Sequence, residues 1–190
     1  MAGEKLNFLK NGKYLINFEK ESIYEENYLI EVNTFIGKDW KTDKFATIKD
    51  IPISFIGSYK NEVNTLKKLS KMKYSCKYLE DFKTKDYYYI VNNPYDTKLL
   101  EFLKNPDEDN GKRLPPNIIK KIFSQLNEAF KGLLNYNLIH GNINPYTILI
   151  KHTNEGKTNF DSFLYGYFSC QKLKPNLFFR RKYLLYVIWK

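Results

Sequence analysis

The chain has 190 residues, of which 43% are hydrophobic and 27% charged, enough apolar material for one domain or two small ones and too much for a chain disordered throughout. Lys and Arg number 31 against 21 Asp and Glu, a net charge of +10. The lysines are scattered and form no single stripe, so nucleic acid is not the expected partner.

Residues 1–20 contain no sustained apolar run, so no signal peptide is expected. Nowhere does an apolar run approach the roughly 20 residues of a membrane-spanning helix. Cys76 and Cys170 lie far apart and, with His140 and His152, form no metal-ligand spacing and no disulfide framework. A reducing, cytoplasmic location is the default expectation.

The first half reads as short strands. Residues 28–32 form one candidate. Residues 34–36 and 45–49 form an antiparallel hairpin about the polar turn 37–44. A helix follows, with Ser58 as its cap and Val63, Leu66 and Leu69 at helical spacing. Residues 77–82 and 87–91, rich in aromatic and β-branched side chains, make a second hairpin. Leu99, Leu100, Phe102 and Leu103 predict a short helix, and residues 106–111 a polar loop. After Pro115 and Pro116, apolar residues from Ile118 to Leu134 recur at i, i+3 and i+4 for over four turns, and Asn135 to Asn137 supply a left-handed stop. At the far end, Arg180, Arg181 and Lys182 precede the apolar residues 183–189. That segment reads as the start of a buried strand or helix in preference to a membrane contact.

Directly after the long helix stands His140-Gly141-Asn142-Ile143-Asn144-Pro145-Tyr146-Thr147, then Ile148-Leu149-Ile150. Upstream lie Ala46-Thr47-Ile48-Lys49, a helical Glu62 and the strand end Val91-Asn92-Asn93, and downstream Leu164-Tyr165-Gly166. In that order these segments resemble the marks of the protein kinase superfamily: V-A-I-K, the helical Glu that pairs with its Lys, the hinge, the H-R-D-L-x-x-x-N catalytic loop and D-F-G. The resemblance spans about residues 28–173.

The resemblance implies an α+β fold. A small antiparallel β-rich lobe with one helix, including the hinge, is expected over residues 1–93. An incomplete, helical, kinase-like second lobe is expected over 94–190, because little chain follows the D-F-G-like segment. Lys49, Glu62, Val91 and Asn93 would hold any nucleotide.

The departures from the pattern weigh against catalysis. Asn142 stands at the catalytic base, and an amide oxygen cannot take a proton, which forfeits a factor of about 100 to 10,000. Gly141 replaces the motif Arg, and Asn144 the loop Lys. Thr147 replaces the metal-binding Asn, and Leu164 the metal-binding Asp. The glycine-rich phosphate cover is missing from residues 25–32. Thr47 adds bulk where the family has the small Ala over the adenine. His140 is assigned a packing and hydrogen-bonding role.

A pseudokinase is therefore expected, acting as a binding or allosteric module on a protein partner such as an active kinase or an acidic protein. ATP binding would be weak at most, and no metal is expected. Two alternatives stand beside it. One is a weakly active Ser/Thr-type kinase in which Asp161 takes over metal binding. The other is a basic interaction domain on a remnant kinase scaffold.

Overall fold

The computed structural model describes residues 6–17, 25–27, 30–104, 114–153 and 159–173. The strands β1 (Leu6–Leu9), β2 (Tyr14–Asn17), β3 (Glu25–Asn27), β4 (Ile30–Val32), β5 (Thr34–Asp39), β6 (Phe45–Pro52), β7 (Tyr78–Lys83) and β8 (Tyr87–Asn92) fill the first half. Six of them form one antiparallel sheet in the order β1-β2-β5-β6-β8-β7, while β3 and β4 pair with each other. The expected single strand over 28–32 is thus a hairpin arm starting at Ile30, and residues 28 and 29 lie outside the described residues.

The β1–β2 hairpin was not expected. Its turn places Lys10, Asn11 and Gly12 at φ of 52°, 52° and 84°, the left-handed geometry that an Asn-Gly pair adopts at little cost. The β5–β6 turn is tighter than the expected 37–44. Gly37 belongs to β5 because its missing side chain makes room for Ile48: a Cβ there would stand 2.5 Å from Ile48 Cδ1. The turn is closed by Asp39 Oδ1, which accepts from the backbone N–H of Lys41 at 2.9 Å and of Thr42 at 3.1 Å.

Strand alternation sorts the sheet into two faces. Tyr14, Ile16, Phe35, Ala46, Ile48, Tyr89 and Val91 pack together on the concave side. The sheet curls until its edge strand β7 reaches the opposite edge, where Glu80 meets Lys10, Lys13 and Tyr14. Inside the curl Phe82 stacks on Tyr89 with centroids 4.8 Å apart and on Tyr14 at 6.2 Å.

The other face carries α1 (Ile56–Leu69). Ser58 does not cap it. A 3-10 turn over Ile53–Phe55 feeds straight into the helix, so Phe55 takes the cap position and Ser58 falls inside the first turn. Val63, Leu66 and Leu69 pack on Ile51 and Ile90. Asp81 of β7 pins the helix to the sheet through Tyr59 and Lys67.

After β8 the chain passes to β9 (Thr97–Lys98) and α2 (Leu99–Lys104), then α3 (Pro116–Asn135). α3 stops where Asn137 turns to φ 54°. Three short strands follow: β10 (Leu138–Ile139), β11 (Ile148–His152) and β12 (Phe160–Leu164), with β13 (Gln171–Lys172) at the end. β11 lies between β12 and β9, and β10 pairs with β13. α3 covers this layer with Ile118, Ile122 and Leu126 against Ile148, Ile150 and Phe160, while Ile119, Phe123 and Leu134 on its other side stand in solvent.

The described part of the second half is therefore mixed, two helices with five short strands, and not the mainly helical lobe expected for 94–190. Residues 160–164 alternate buried and half-buried side chains beneath α3, and Ile148, Leu149 and Ile150 of β11, which lies between β12 and β9, are all buried. The largest core cluster joins both halves: Ile51, Val63, Leu66, Tyr88 and Ile90 touch a set that includes Leu133, Leu149, Leu164, Tyr165 and Tyr167. The expected loop at 106–111 and the tail 180–189 lie outside the described residues. No helix among the described residues is long and apolar enough to cross a membrane.

Candidate functional site

β6 and α1 bring Lys49 and Glu62 together, as the motif order anticipated. Lys49 Nζ lies 3.0 Å from Glu62 Oε2 and 3.2 Å from Oε1. Both side chains are 0% exposed. The lid over them is Tyr165, whose ring centroid stands 5.2 Å from Lys49 Nζ and whose hydroxyl lies 3.4 Å from Thr34 Oγ1. Tyr165 is itself fully buried. A cation on a desolvated aromatic face is attracted by the ring quadrupole, so the ring holds the ammonium in place of solvent.

The residue beside Lys49 is thus Tyr165, where Leu164 was the expected counterpart of the metal-binding Asp. Leu164 points into the main core. Its backbone is held on both sides, donating to Tyr74 O at 3.0 Å and accepting from Cys76 N at 3.1 Å. The rival carboxylate, Asp161, faces α3 and accepts from Gln125 Nε2 at 2.7 Å. Gln125 Oε1 in turn accepts from Ser162 N and Oγ at 2.9 and 2.7 Å. That network joins Asp161 and Ser162 of β12 to Gln125 of α3.

The turn after α3 gathers Asn142, Asn144 and Thr147, and spends their polar atoms on one another. Asn144 Nδ2 donates to Asn142 Oδ1 at 3.0 Å. Asn144 Oδ1 accepts from Tyr146 N at 2.8 Å. The Thr147 hydroxyl, nearly buried, reaches the carbonyls of Asn142 and Asn144, each at 3.0 Å. The same oxygen accepts from Asn144 N at 3.1 Å, so the hydroxyl is bonded into the turn as both donor and acceptor. Gly141 has φ of 81°, and a Cβ there would sit 2.6 Å from the Ser169 carbonyl oxygen. Any side chain there is strained and has to displace the Ser169 carbonyl.

His140 fixes this turn to the Tyr165 segment. Its Nδ1 accepts from Asn142 N at 3.3 Å, so its Nε2 carries the proton and donates to Tyr165 O at 2.8 Å. The ring is 1% exposed, a packing and hydrogen-bonding residue as read from the sequence. Val91 is sealed in the concave cluster opposite Ile48. Asn93 Oδ1 accepts from Lys77 N at 2.6 Å and from Cys76 Sγ at 3.3 Å.

Asn92 was not singled out in the sequence, and Thr47 only for its bulk. Thr47 and Asn92 are register partners on β6 and β8. Thr47 Oγ1, Asn92 Nδ2 and Asn92 Oδ1 are buried with no hydrogen-bond partner among the described residues. The thiols do not add chemistry. Burial pushes Cys76 well up and Cys170 up to about 12, so both stay protonated at neutral pH and neither is a nucleophile. Both are free and buried. Among the described residues no three His, Cys, Asp or Glu side chains cluster closely enough to hold a metal ion.

No protein-family model matches the chain. No curated protein matches it either.

Proposed function

We propose that this chain is a protein-kinase-like module without phosphoryl-transfer activity, one that works by binding a protein partner. The kinase-like part rests on element order and on pairing. A lysine of a curled antiparallel sheet meets a glutamate of that sheet's one helix. A long amphipathic helix runs into the His140 turn, and a strand pair follows. The inactive part rests on one observation above the others: the Lys49–Glu62 pair is sealed beneath Tyr165. Phosphoryl transfer depends on positioning and on neutralising charge with metal and cations. Here the cation is enclosed, the neighbouring side chain is a phenol, and Asn142 cannot act as a base.

The test pairs a phosphate-transfer assay with a thermal-shift titration. A ligand at 100 times its dissociation constant stabilises by about 2.7 kcal/mol. The expected result is no incorporated label from Mg-ATP and no Mg-dependent shift. Label incorporation that disappears with Lys49→Ala would overturn the proposal, as would a Mg-dependent shift abolished by Asp161→Asn.

A further inference from the structure

Thr47 of β6 and Asn92 of β8 face one another as register partners. Their neighbours Ala46, Ile48 and Val91 turn into the concave cluster. Strand alternation therefore sends Thr47 and Asn92 to the opposite face. That face carries Ile51 and Ile90 into the core shared with α1 and the second half. Thr47 and Asn92 are both 0% exposed. β8 ends at Asn92, and the chain leaves the sheet there for β9 and the second half.

Side chains directly opposite on one face of an antiparallel pair have Cβ atoms about 4.5–5.5 Å apart. The hydroxyl and the amide are thus close, yet they do not bond to each other. Thr47 Oγ1, Asn92 Oδ1 and Asn92 Nδ2 have no hydrogen-bond partner among the described residues. Their backbones lie within the sheet, Asn92 in register between Thr47 and Tyr78.

An interior strand position suits Val or Leu. A polar group left unpaired there loses its hydration with nothing in return. Three such atoms on two facing side chains call for a partner. Internal water is held by about two to four polar atoms, and it bridges groups that stand too far apart to bond directly. The donor Nδ2, the acceptor Oδ1 and a hydroxyl that can be either match water, which both donates and accepts. A larger ligand would need an opening, and neither side chain reaches the surface.

We propose that Thr47 and Asn92 bind internal water that bridges the hydroxyl to the amide. The water donates to Asn92 Oδ1, accepts from Asn92 Nδ2 and takes the complementary role toward Thr47 Oγ1. It ties β6 to β8 at the point where the chain crosses to the second half. This site is independent of the kinase-like reading, and phosphate-transfer assays do not bear on it.

The test is melting of the full chain with Thr47→Val, Asn92→Leu and the two together, beside a high-resolution crystal structure of the parent. Valine keeps the shape of threonine and withdraws only the hydroxyl. If water bridges the pair, Thr47→Val strips it of a partner and should lower the Tm by about 2–6 °C. The double variant removes the water with all three polar atoms, so its loss should be smaller than the sum of the two single losses. If the three atoms are simply unpaired, Thr47→Val removes a penalty, and the Tm stays or rises. An unchanged or higher Tm for Thr47→Val would therefore overturn the proposal, as would additive losses. The crystal structure should show an ordered water within hydrogen-bond distance of Thr47 Oγ1 and of the Asn92 amide. Density with no water there, or with the Asn92 amide turned onto a protein group, would overturn it whether or not the variants fold.

Discussion

Replacing Lys49 by Met tests whether the buried ion pair is a structural strut. Both side chains are 0% exposed, with the ammonium 3.0 Å from the nearer carboxylate oxygen. An exposed pair would contribute about 0.2–1 kcal/mol. Removing one partner of a buried pair instead leaves a charge without compensation, at a cost of about 3–5 kcal/mol. In a chain of this length each kcal/mol moves the Tm by about 2–4 °C, so Lys49→Met should melt about 6–20 °C lower. The double variant Lys49→Met with Glu62→Leu removes both charges and refills the volume with apolar groups. It should regain most of the loss, because well-packed apolar replacements of buried pairs are close to neutral. Urea denaturation of the four proteins closes a double-mutant cycle, with an expected coupling of at least about 2 kcal/mol. A Lys49→Met protein within 1 kcal/mol of the parent (about the limit for an exposed pair) would refute the reasoning. It would mean that the pair is open to water, and the sealing by Tyr165 would fall with it.

Two other changes probe the surrounding structure. Gly141→Ala, at φ 81° and with its new Cβ 2.6 Å from a backbone oxygen, should cost about 1–3 kcal/mol in urea denaturation; a neutral result would show that the turn is not built this way. Burial pushes the Glu80 carboxyl up, but hydrogen bonds from Lys10, Lys13 and Tyr14 outweigh it and bring it from 4.5 down to about 2. The unfolded chain therefore takes up that proton first, so the stability contributed by Glu80 is complete above about pH 4.5 and is lost as pH falls toward 2. With Lys10 and Lys13 34% and 36% exposed, solvent screening limits this to about 1–2 kcal/mol. Glu80→Gln should flatten the acid limb of the stability curve, and an unchanged acid limb would show that the edge-to-edge contact carries no such energy.

What could be read from the sequence followed the strength of its periodic signals. Four turns of i, i+3, i+4 spacing gave α3 nearly to the residue, with Asn137 as the left-handed stop. The aromatic runs at 77–82 and 87–91 became β7 and β8. The β1–β2 hairpin was missed although Asn11-Gly12 between two apolar runs is a strong turn signal. At Leu164 the motif and the period disagreed. The Gly166 match set Leu164 in the place of the metal-binding Asp, yet Phe160, Ser162 and Leu164 alternate with Asp161 and Phe163, and all three are buried. A strand's period of two decides which side a residue faces, so Leu164 had to go inward and the next residue, Tyr165, toward Lys49. The closed network of Asn142, Asn144 and Thr147 was not legible, since it depends on how the turn folds back on itself and not on spacing.

These features reinforce one another. A lysine that serves phosphates must give up its contacts to an incoming anion, so it needs a route for that anion and a partner it can share. Lys49 has the opposite surroundings. Its carboxylate partner is enclosed with it, and the ammonium also lies over a phenol ring that is itself fully buried. The ring is held in turn: His140 donates to the Tyr165 carbonyl, and the Tyr165 N–H donates to Thr147 O at 3.0 Å. Opening the pair to a ligand therefore requires moving the Tyr165 segment, and with it the His140 turn and the Asn142–Thr147 bonds. Changing Tyr165 to a carboxylate would not open the site. It would place a second acid beside Glu62 with one ammonium between them, in a region where an uncompensated charge costs several kcal/mol. The same packing that makes Lys49 and Glu62 a good brace between sheet and helix makes them a poor phosphate site.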